Sequence, residues 1–360
     1  MNAQQKYFTS RLMEWNRVSN NRQMPWKGEK DPYKIWLSEI ILQQTRVEQG
    51  RAYYERFIKK FPTIQQLAAA PETAVFKLWE GLGYYSRCKN LIATARLITE
   101  KYGGRFPAVY EEILALKGVG PYTAAAIASF AFQLPHAVVD GNVFRVLARY
   151  FGDDTPADST AGKKSFTALA GLLLDKKMPG LYNQALMDFG ATICKPQAPR
   201  CPECPLRRRC RAFAAGTIAL LPVKEKKITL RRRWFYYLQV EYNGKVYVRK
   251  RSAGDIWENL YEFVLYESSE PLAVTRLQKK AWLRKQLGQV HAAVLNFSPV
   301  LRQQLSHQLI EGQIIHLQAM EPPHLPGYEA VTAKQLARLP FPWLLAGWLN
   351  PKNSRPGFER

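Results

Sequence analysis

The stretch LALKGVGPYTAAA, residues 114–126, places the turn Gly118-Val119-Gly120 between two segments of helical pattern. Glycine has no Cβ, so backbone N–H groups at the start of the second helix can meet a phosphate without obstruction by side chains. The turn therefore predicts a contact with a phosphate backbone such as that of DNA. A Gly-x-Gly turn also occurs as a simple connection between helices, and the turn alone leaves that interpretation open.

Helical periodicity extends outward from this turn over residues 5–212, where apolar residues recur at spacings of three and four. The segment DPYKIWLSEIILQQT begins with Asp31 as the predicted N-cap and Pro32 at the first helical position. The first part of the chain is therefore predicted to be all-α. Further helices are predicted at about 51–60, 72–79, 86–102, 110–116, 121–131, 141–151, 159–175 and 180–189.

The charge of the chain indicates an anionic partner. Its 360 residues include 52 Lys and Arg against 29 Asp and Glu, a formal net charge of +23. Such a charge attracts a polyanion and favours nucleic acid, although ribosome-associated, membrane-surface or merely soluble basic proteins also carry such an excess. No stretch has the length and apolarity of a signal peptide or a membrane span, so we expect a cytosolic protein with no membrane partner.

Four of the five cysteines, Cys194, Cys201, Cys204 and Cys210, lie within seventeen residues in a Cys-x6-Cys-x2-Cys-x5-Cys pattern. In a reducing compartment this spacing indicates metal binding, by tetrahedral zinc or by a 4Fe-4S cluster. Zinc sites usually come as two close pairs, and the single close pair here favours the cluster. A chance set of buried cysteines is the remaining alternative. Cys88 stands apart and is predicted to be a buried small side chain.

Glu39 is a candidate general acid. It lies inside IWLSEIILQQ among apolar neighbours, where loss of hydration should raise its pKa. By residue type alone, a glutamate on the exposed stripe of an amphipathic helix is the more common case. Trp36 and Gln43 share the face of Glu39 at helical spacing, and this mixed polar and aromatic stripe predicts a pocket wall instead.

Asp140 is a candidate for the second carboxyl of such a site. It ends HAVVD and precedes the helical pattern GNVFRVLARYF, which predicts an N-cap, and capping alone would account for its presence. Helix N–H groups and the helix dipole should keep its side chain ionised. One neutral and one ionised carboxyl form the arrangement that breaks glycosidic bonds through an oxocarbenium-like transition state.

The pattern changes after Cys210. Between Cys201 and Phe235 lie ten Lys or Arg and two acidic residues, which predicts a basic linker along a phosphate backbone. The stretch RWFYYLQVEYNGKVYVRKR then alternates polar and apolar residues and is interrupted by Asn243-Gly244, a strong hairpin signal. A second, α+β domain is therefore predicted at about 230–350.

Taken together, GVGPYTA, VVDGN and the four-cysteine loop resemble the helix-hairpin-helix family of DNA glycosylases over about residues 5–212. The motifs MPW (24–26), SEIILQQTRV (38–47), GLGYYSR (81–87) and YNQALMDFGA (182–191) resemble its MutY-type adenine glycosylases. The resemblance implies a multidomain fold. Its first domain would be an all-α helix-hairpin-helix glycosylase domain with a 4Fe-4S cluster loop, and its second an α+β Nudix-like (MutT-like) domain. Its implied parts are a six-helix barrel (25–135), a cluster subdomain (1–24 and 136–212), a linker (213–230), the Nudix-like lesion-recognition domain (231–350) and a tail (351–360).

The resemblance also implies the chemistry. Glu39 would protonate the adenine ring at N7, and Asp140 would stabilise the sugar cation or trap it covalently, with Tyr122 and Asn142 assisting. In the related endonuclease III type a lysine stands at the position of Tyr122, and its amine attacks the sugar and permits strand cleavage. Because tyrosine cannot form that imine, the sequence predicts a monofunctional N-glycosylase without significant β-lyase activity.

The implied substrate is double-stranded DNA with adenine opposite 8-oxoguanine or guanine, and the adenine must be flipped out of the stack. The residues matched to the flipped adenine are Trp26 and Gln184, with Arg22 or Lys27. Those matched to the gap and the opposite strand are Gln44, Thr45, Leu82 and Tyr84, the last as a wedge between bases. We expect a monomer with one 4Fe-4S cluster in the bacterial cytosol, associated with the nucleoid through DNA.

The second domain resembles the family's carboxy-terminal module in KRSAGDIWENLYEF (250–263). No Gly-x5-Glu-x7-Arg-Glu-x-x-Glu-Glu box follows, so nucleotide hydrolysis is not expected there. The family reads the oxidised guanine with a Phe-Ser-His loop, and this chain has Leu305-Ser306-His307. We predict the contact from Ser306; the alternative is an ordinary turn residue.

The sequence also admits two other functions. A bifunctional thymine-glycol lyase of the endonuclease III type is opposed by Tyr122 and by the long second domain. A non-catalytic DNA-binding regulator with a structural or redox metal would have no need of Glu39 or Asp140, and their substitution would leave its activity unchanged.

Overall fold

The structure, a computed structural model, describes residues 2–225, 229–278 and 290–349. Contacts divide these residues into two compact units, the first formed by residues 2–69 and 90–225 and the second by the remainder, which includes residues 70–89. The grouping of residues 70–89 with the carboxy-terminal part of the chain was not predicted. The predicted domain boundaries stay predictions, and the predicted tail lies outside the described residues.

The first unit is helical, and its described residues contain no strand. The all-α prediction is therefore confirmed. Its helices are α1 (Ala3–Val18), α2 (Pro32–Leu42), α3 (Val47–Lys60), α4 (Ile64–Ala69), most of α6 (Tyr85–Tyr102), α7 (Tyr110–Leu114), α8 (Pro121–Phe132), α9 (Gly141–Phe151), α10 (Thr160–Leu173), α11 (Pro179–Thr192) and α12 (Arg211–Ala214). The helix α5 (Glu72–Trp79) and the first residues of α6 belong to the second unit.

Local sequence signals explain where α2 and α8 begin. Asp31 accepts a hydrogen bond from the Tyr33 N–H at 2.9 Å, which confirms the predicted N-cap of α2. Helix α8 starts at Pro121, after a turn in which Gly118 has a φ of +78°. A Cβ on Gly118 would lie 2.7 Å from the Cβ of Asn90, so both backbone conformation and space require glycine there.

Helix α11 packs against α8 and α9 in the core of the first unit. The buried Asn183 amide donates to Ser129 Oγ at 2.9 Å and to the His136 carbonyl at 2.8 Å, and its oxygen accepts from the Val138 N–H at 3.1 Å. These bonds join α11 to α8 and to the chain that leads into α9. They fix three elements whose ends carry the candidate site.

Two buried arginines of α9 connect this helix to the chain that follows α11. Arg145 donates to the carbonyls of Cys194 at 2.7 Å and Gly190 at 2.8 Å. Arg149 donates to the Lys195 carbonyl at 2.7 Å. The start of the cysteine loop is thus attached to α9 by hydrogen bonds.

The second unit contains an eight-stranded sheet of order β3-β2-β1-β7-β5, in which β4 pairs with β1, β6 with β7 and β8 with β2. Strands β1 and β7 are parallel and the other pairs antiparallel. The strands are β1 (Arg231–Tyr242), β2 (Lys245–Lys250), β3 (Tyr261–Glu262), β4 (Val264–Ser268), β5 (Ala292–Phe297), β6 (Leu301–Gln304), β7 (Gln308–Ala319) and β8 (Glu329–Thr332). Its further helices are α13 (Val274–Gln278), α14 (Ala333–Leu336) and α15 (Trp343–Leu349).

The predicted hairpin joins the first two strands. Asn243 and Gly244 both have positive φ, 47° and 69°, and connect β1 to β2 in two residues. The prediction of a sheet-containing second domain is therefore confirmed. Among the described residues of both units, no helix has the length and apolarity needed to span a membrane.

We predict that Gly190→Ala destabilises the first unit by about 1–3 kcal/mol, because the added Cβ would lie 2.6 Å from the Cβ of Asn142. Chemical denaturation followed by the helical circular dichroism signal measures this. Gly171→Ala in α10 is the matched control: its Cβ meets nothing within 4 Å, so helix propensity should leave stability equal or up to about 1 kcal/mol higher. Equal midpoints for the two variants would contradict the prediction.

Candidate active site

A cavity of about 460 Å³ lies among α2, α8, α11 and the start of α9 in the first unit. All four residues predicted to be catalytic line it: Glu39, Tyr122, Asp140 and Asn142. Five of the residues matched to the substrate line it as well: Arg22, Trp26, Lys27, Thr45 and Gln184. Residues from positions 22 to 187 thus meet at one site.

Glu39 is buried on α2, with 6% of its surface exposed, so it does not belong to an exposed stripe. Burial raises its pKa to about 7, the nearby charge of Asp140 adds to the rise, and a hydrogen bond with Tyr122 opposes it. The predicted rise in pKa is thus present in the structure. The predicted polar and aromatic pocket wall is wrong for two of its three residues: neither Trp36 nor Gln43 lines the cavity, and Trp36 packs in the core against Phe106.

Asp140 caps α9, as predicted. Its carboxyl accepts from the Val143 N–H at 2.8 Å and from Asn142 Nδ2 at 2.7 Å. Burial raises the pKa of Asp140, and the hydrogen bonds from Val143 and Asn142 offset only part of the rise, so the ionised state of Asp140 stays a prediction. The nearby charge of Arg145 also favours the anion. Asp140 therefore has more groups to compensate its charge than Glu39 has.

Tyr122 lies in the first turn of α8, beside both carboxyls. Burial, together with the charges of Glu39 and Asp140, raises its pKa far above the usual value, so the phenol stays protonated and can donate. Two lysines also line the cavity. Both have acceptors: Lys27 Nζ donates to Asp188 at 2.9 Å, and Lys30 Nζ donates to the Phe130 carbonyl at 3.2 Å.

Asp188 is a residue of this region that the sequence analysis missed. It is fully buried in α11, and Arg22, Lys27 and Gln184 each donate to its carboxylate at 2.9 Å. The available signal was an acidic residue four positions after Gln184 in the otherwise apolar pattern ALMDFGA. Trp26 is also buried and packs edge-on against Tyr54 at 5.3 Å between ring centroids.

The remaining predicted substrate residues are divided between the units. Gln44 is exposed at the end of α2, with a left-handed φ of 56°. In the second unit, Leu82, Tyr84 and Ser306 line a separate cavity of about 530 Å³. Ser306 Oγ donates to the Tyr84 hydroxyl at 3.1 Å, and Tyr84, 44% exposed, has a left-handed φ of 50°. Strained backbone of this kind is common at functional sites.

The same cavity of the second unit contains a carboxylate held by arginines. Asp255 lines it and accepts from Arg233 at 2.6 Å and from Arg251 at 2.8 Å. Asp255 and Ser306 therefore supply polar groups to a cavity that also has the apolar side chain of Leu82.

Cys194, Cys201, Cys204 and Cys210 are free thiols in the loop after α11. Burial raises the pKa of Cys204 to about 12, and the charges of the other three thiols add to the rise. Among the described residues, no three metal-ligating side chains are placed so as to hold a metal ion. Four cysteines as donors suit an iron–sulfur cluster or zinc, and the cluster stays a prediction.

The remaining predictions concern single positions. Cys88 is fully buried, as predicted, and burial raises its pKa well above the usual value.

At the turn before α8, Gly118 and Gly120 are exposed, whereas Val119 is buried and its N–H donates to the Leu116 carbonyl at 3.1 Å. The predicted phosphate contact of this turn stays a prediction.

Comparison with known proteins agrees with the helical fold. The model of the HhH-GPD superfamily base excision DNA repair proteins matches residues 37–167. The adenine DNA glycosylase of Buchnera aphidicola subsp. Schizaphis graminum is 32% identical over 278 residues, covering 77% of this chain and 78% of that protein. The adenine DNA glycosylase of Buchnera aphidicola subsp. Baizongia pistaciae is 33% identical over 305 residues, covering 83% of each.

A solved structure of a thermostable thymine-DNA glycosylase is 32% identical, with a TM-score of 0.55, and the match covers 59% of this chain and 97% of that one. The two adenine glycosylases match over more than three quarters of their own length. The chain therefore belongs to the MutY-type adenine DNA glycosylases, a family of helix-hairpin-helix base excision DNA repair proteins.

Proposed function

We propose that this protein excises adenine mispaired with 8-oxoguanine or guanine in double-stranded DNA, by hydrolysis of the N-glycosidic bond and without strand cleavage. The observation that carries the proposal is the buried Glu39, with a pKa of about 7, in one cavity with Asp140 and Tyr122. A carboxyl that is partly protonated at neutral pH is suited to donate a proton to a leaving base.

The cavity supports base flipping followed by acid catalysis. Its volume of about 460 Å³ is sufficient for a purine that has left the duplex. Glu39 protonates the base at N7, which weakens the bond to the sugar. Asp140, with its hydrogen-bond donors, stabilises the positive charge that develops on the sugar as the base departs, or traps the sugar covalently before water attacks.

The second unit supports recognition of the opposite base. Ser306 and Tyr84 are hydrogen-bonded at the cavity that Leu82 also lines, and the exposed ring of Tyr84 is suited to stack against a base. We propose that Ser306 contacts 8-oxoguanine and that this unit is a Nudix-like lesion-recognition module. Leu305 replaces the phenylalanine of the family's loop, so aromatic stacking from that position is absent.

The four cysteines of the loop would hold a 4Fe-4S cluster, one thiolate from each. Bound there, the cluster supplies structure, since it would fix the loop that carries the exposed Arg207, Arg208 and Arg209. Guanidinium groups in a fixed loop are suited to DNA phosphates. Base removal itself is carried out by Glu39 and Asp140.

Excision should leave the DNA strand intact. We predict that a duplex with a single adenine opposite 8-oxoguanine, incubated with the protein, breaks at the adenine only after hot alkali. The reason is that Tyr122 offers no amine to the sugar and both cavity lysines are bonded to other groups. Denaturing gel electrophoresis with and without alkali measures this. Breaks without alkali would refute the monofunctional mechanism, and no breaks in either arm would refute the enzyme activity.

The rate of excision should depend on the protonation of Glu39. We predict that the single-turnover rate on this duplex falls as pH rises above about 7, because the acid form of a group with a raised pKa is lost there. Glu39→Gln should reduce excision by roughly 100-fold or more at and below about pH 7, where wild-type Glu39 carries its proton, while DNA binding, measured by gel shift, is retained.

The matched control for Glu39→Gln is Glu100→Gln, the same change at an exposed position of α6. The control should retain both the rate and its pH dependence. Turnover by Glu39→Gln at the wild-type rate would exclude Glu39 as the acid.

The cysteine loop should bind iron. We predict that the purified protein is brown with about four irons per chain, and that Cys204→Ser loses colour and DNA affinity together. Iron and sulfide analysis, visible absorption and a DNA titration measure this. Cys88→Ser, a change at a buried cysteine outside the loop, should leave the colour unchanged. A colourless protein with one zinc per chain would refute the cluster.

A further inference from the structure

Asp188 accepts four hydrogen bonds behind the wall of the catalytic cavity. Arg22 Nη1 and Gln184 Nε2 donate to Oδ1, and Asn20 Nδ2 and Lys27 Nζ donate to Oδ2, each at 2.9 Å. Two donors on each oxygen use all the acceptor positions of a carboxylate. The side chain is fully buried, and Arg22 and Lys27 form ion pairs with it. Three of its partners, Arg22, Lys27 and Gln184, line the cavity.

This arrangement determines which way the Gln184 amide faces. The two ends of a glutamine amide differ only in that one donates and the other accepts hydrogen bonds, so the neighbouring groups decide its orientation. A carboxylate can only accept, and Asp188 therefore holds Nε2 of Gln184. The amide oxygen of Gln184 is left as the acceptor for a ligand in the cavity.

We propose that Asp188 is a positioning residue for base selection, which keeps the Gln184 oxygen toward the flipped base and so favours a purine with an amino donor at its 6-position. The proposal rests on the proposed function, adenine excision. Adenine carries an amino donor at its 6-position, whereas guanine carries an oxygen acceptor there. Opposed acceptors would leave buried polar groups unpaired, which is the strongest basis for rejecting a wrong base.

The test is Asp188→Asn, which keeps the shape of the side chain but gives it an amide that can donate to Gln184. Single-turnover excision is measured on two duplexes with 8-oxoguanine opposite adenine or opposite unsubstituted purine, which has hydrogen at the 6-position. Each variant rate is divided by the wild-type rate on the same duplex, which removes the difference in leaving-group chemistry. On adenine the variant rate should be about tenfold lower than the wild-type rate, through loss of one buried hydrogen bond. On purine the two rates should agree within about twofold.

The outcomes separate positioning from general structural support. An equal fall on both duplexes, or no fall on either, would overturn the role of Asp188. Failure of the wild-type protein to excise adenine would instead overturn the proposed function. Asp154→Asn, the same change at an exposed position of the first unit, is the matched control and should leave both rates unchanged.

A double-mutant cycle tests whether Asp188 acts through Gln184. In a Gln184→Leu background the amide is absent, so Asp188→Asn should no longer change the preference for adenine over purine. An undiminished effect in that background would contradict the proposal. If Asp188→Asn does not fold, as judged by circular dichroism, Asp188→Ser carries the same prediction, because its small hydroxyl leaves room for water and releases the Gln184 amide.

Discussion

The packing of α11 against α8 and α9 is the constraint on which the catalytic cavity depends. Asn183 is buried in this contact and bonded to α8 and to the chain that leads into α9, and Gly190 allows α11 to approach the first turn of α9 at a distance that no Cβ could occupy. Each helix contributes a different group to the site: Tyr122 comes from α8, Asp140 from the cap of α9 and Gln184 from α11. Without this packing, these side chains would share no cavity.

The same cavity region contains three carboxyls that differ in how their charge is compensated. Glu39 has a hydrogen bond with Tyr122, and burial together with the nearby charge of Asp140 brings its pKa to about 7. Asp140 accepts hydrogen bonds from the Val143 N–H and from the Asn142 amide, and the nearby charge of Arg145 also favours its anion. Asp188 has four donors, two of them cationic. The three carboxyls therefore differ in the number of donors that surround them, with burial common to all three.

Local features of this fold were predictable from the sequence. Which residues distant in the sequence meet at one site was predictable only in part. The caps at Asp31 and Asp140 depend on a few neighbouring residues, and both follow the rules for helix starts. The burial of Glu39 could be inferred from its apolar neighbours. The stripe that includes Trp36 was misjudged because spacing shows which residues share a helix face, and cannot show whether that face meets a cavity or another helix.

Asp188 was missed for a related reason. Its partners Asn20, Arg22 and Lys27 are more than 160 positions away, and no periodicity connects them with α11. The net pKa of Asp140 was also beyond local reasoning, because the cap bonds are local and the burial that outweighs them is tertiary. The family motifs identify which residues matter, but only the packed structure shows which groups compensate their charges.

Helix α9 also connects the cysteine loop to the catalytic cavity. One guanidinium, that of Arg145, donates to the Asn142 side chain at 2.8 Å and to the Cys194 carbonyl at 2.7 Å. Asn142 in turn donates to Asp140 at 2.7 Å, so a continuous chain of hydrogen bonds runs from the cysteine loop to the carboxyl of Asp140. A loop held by four cysteine ligands would therefore affect base removal through the position of Asn142, without any chemical step at the cysteines.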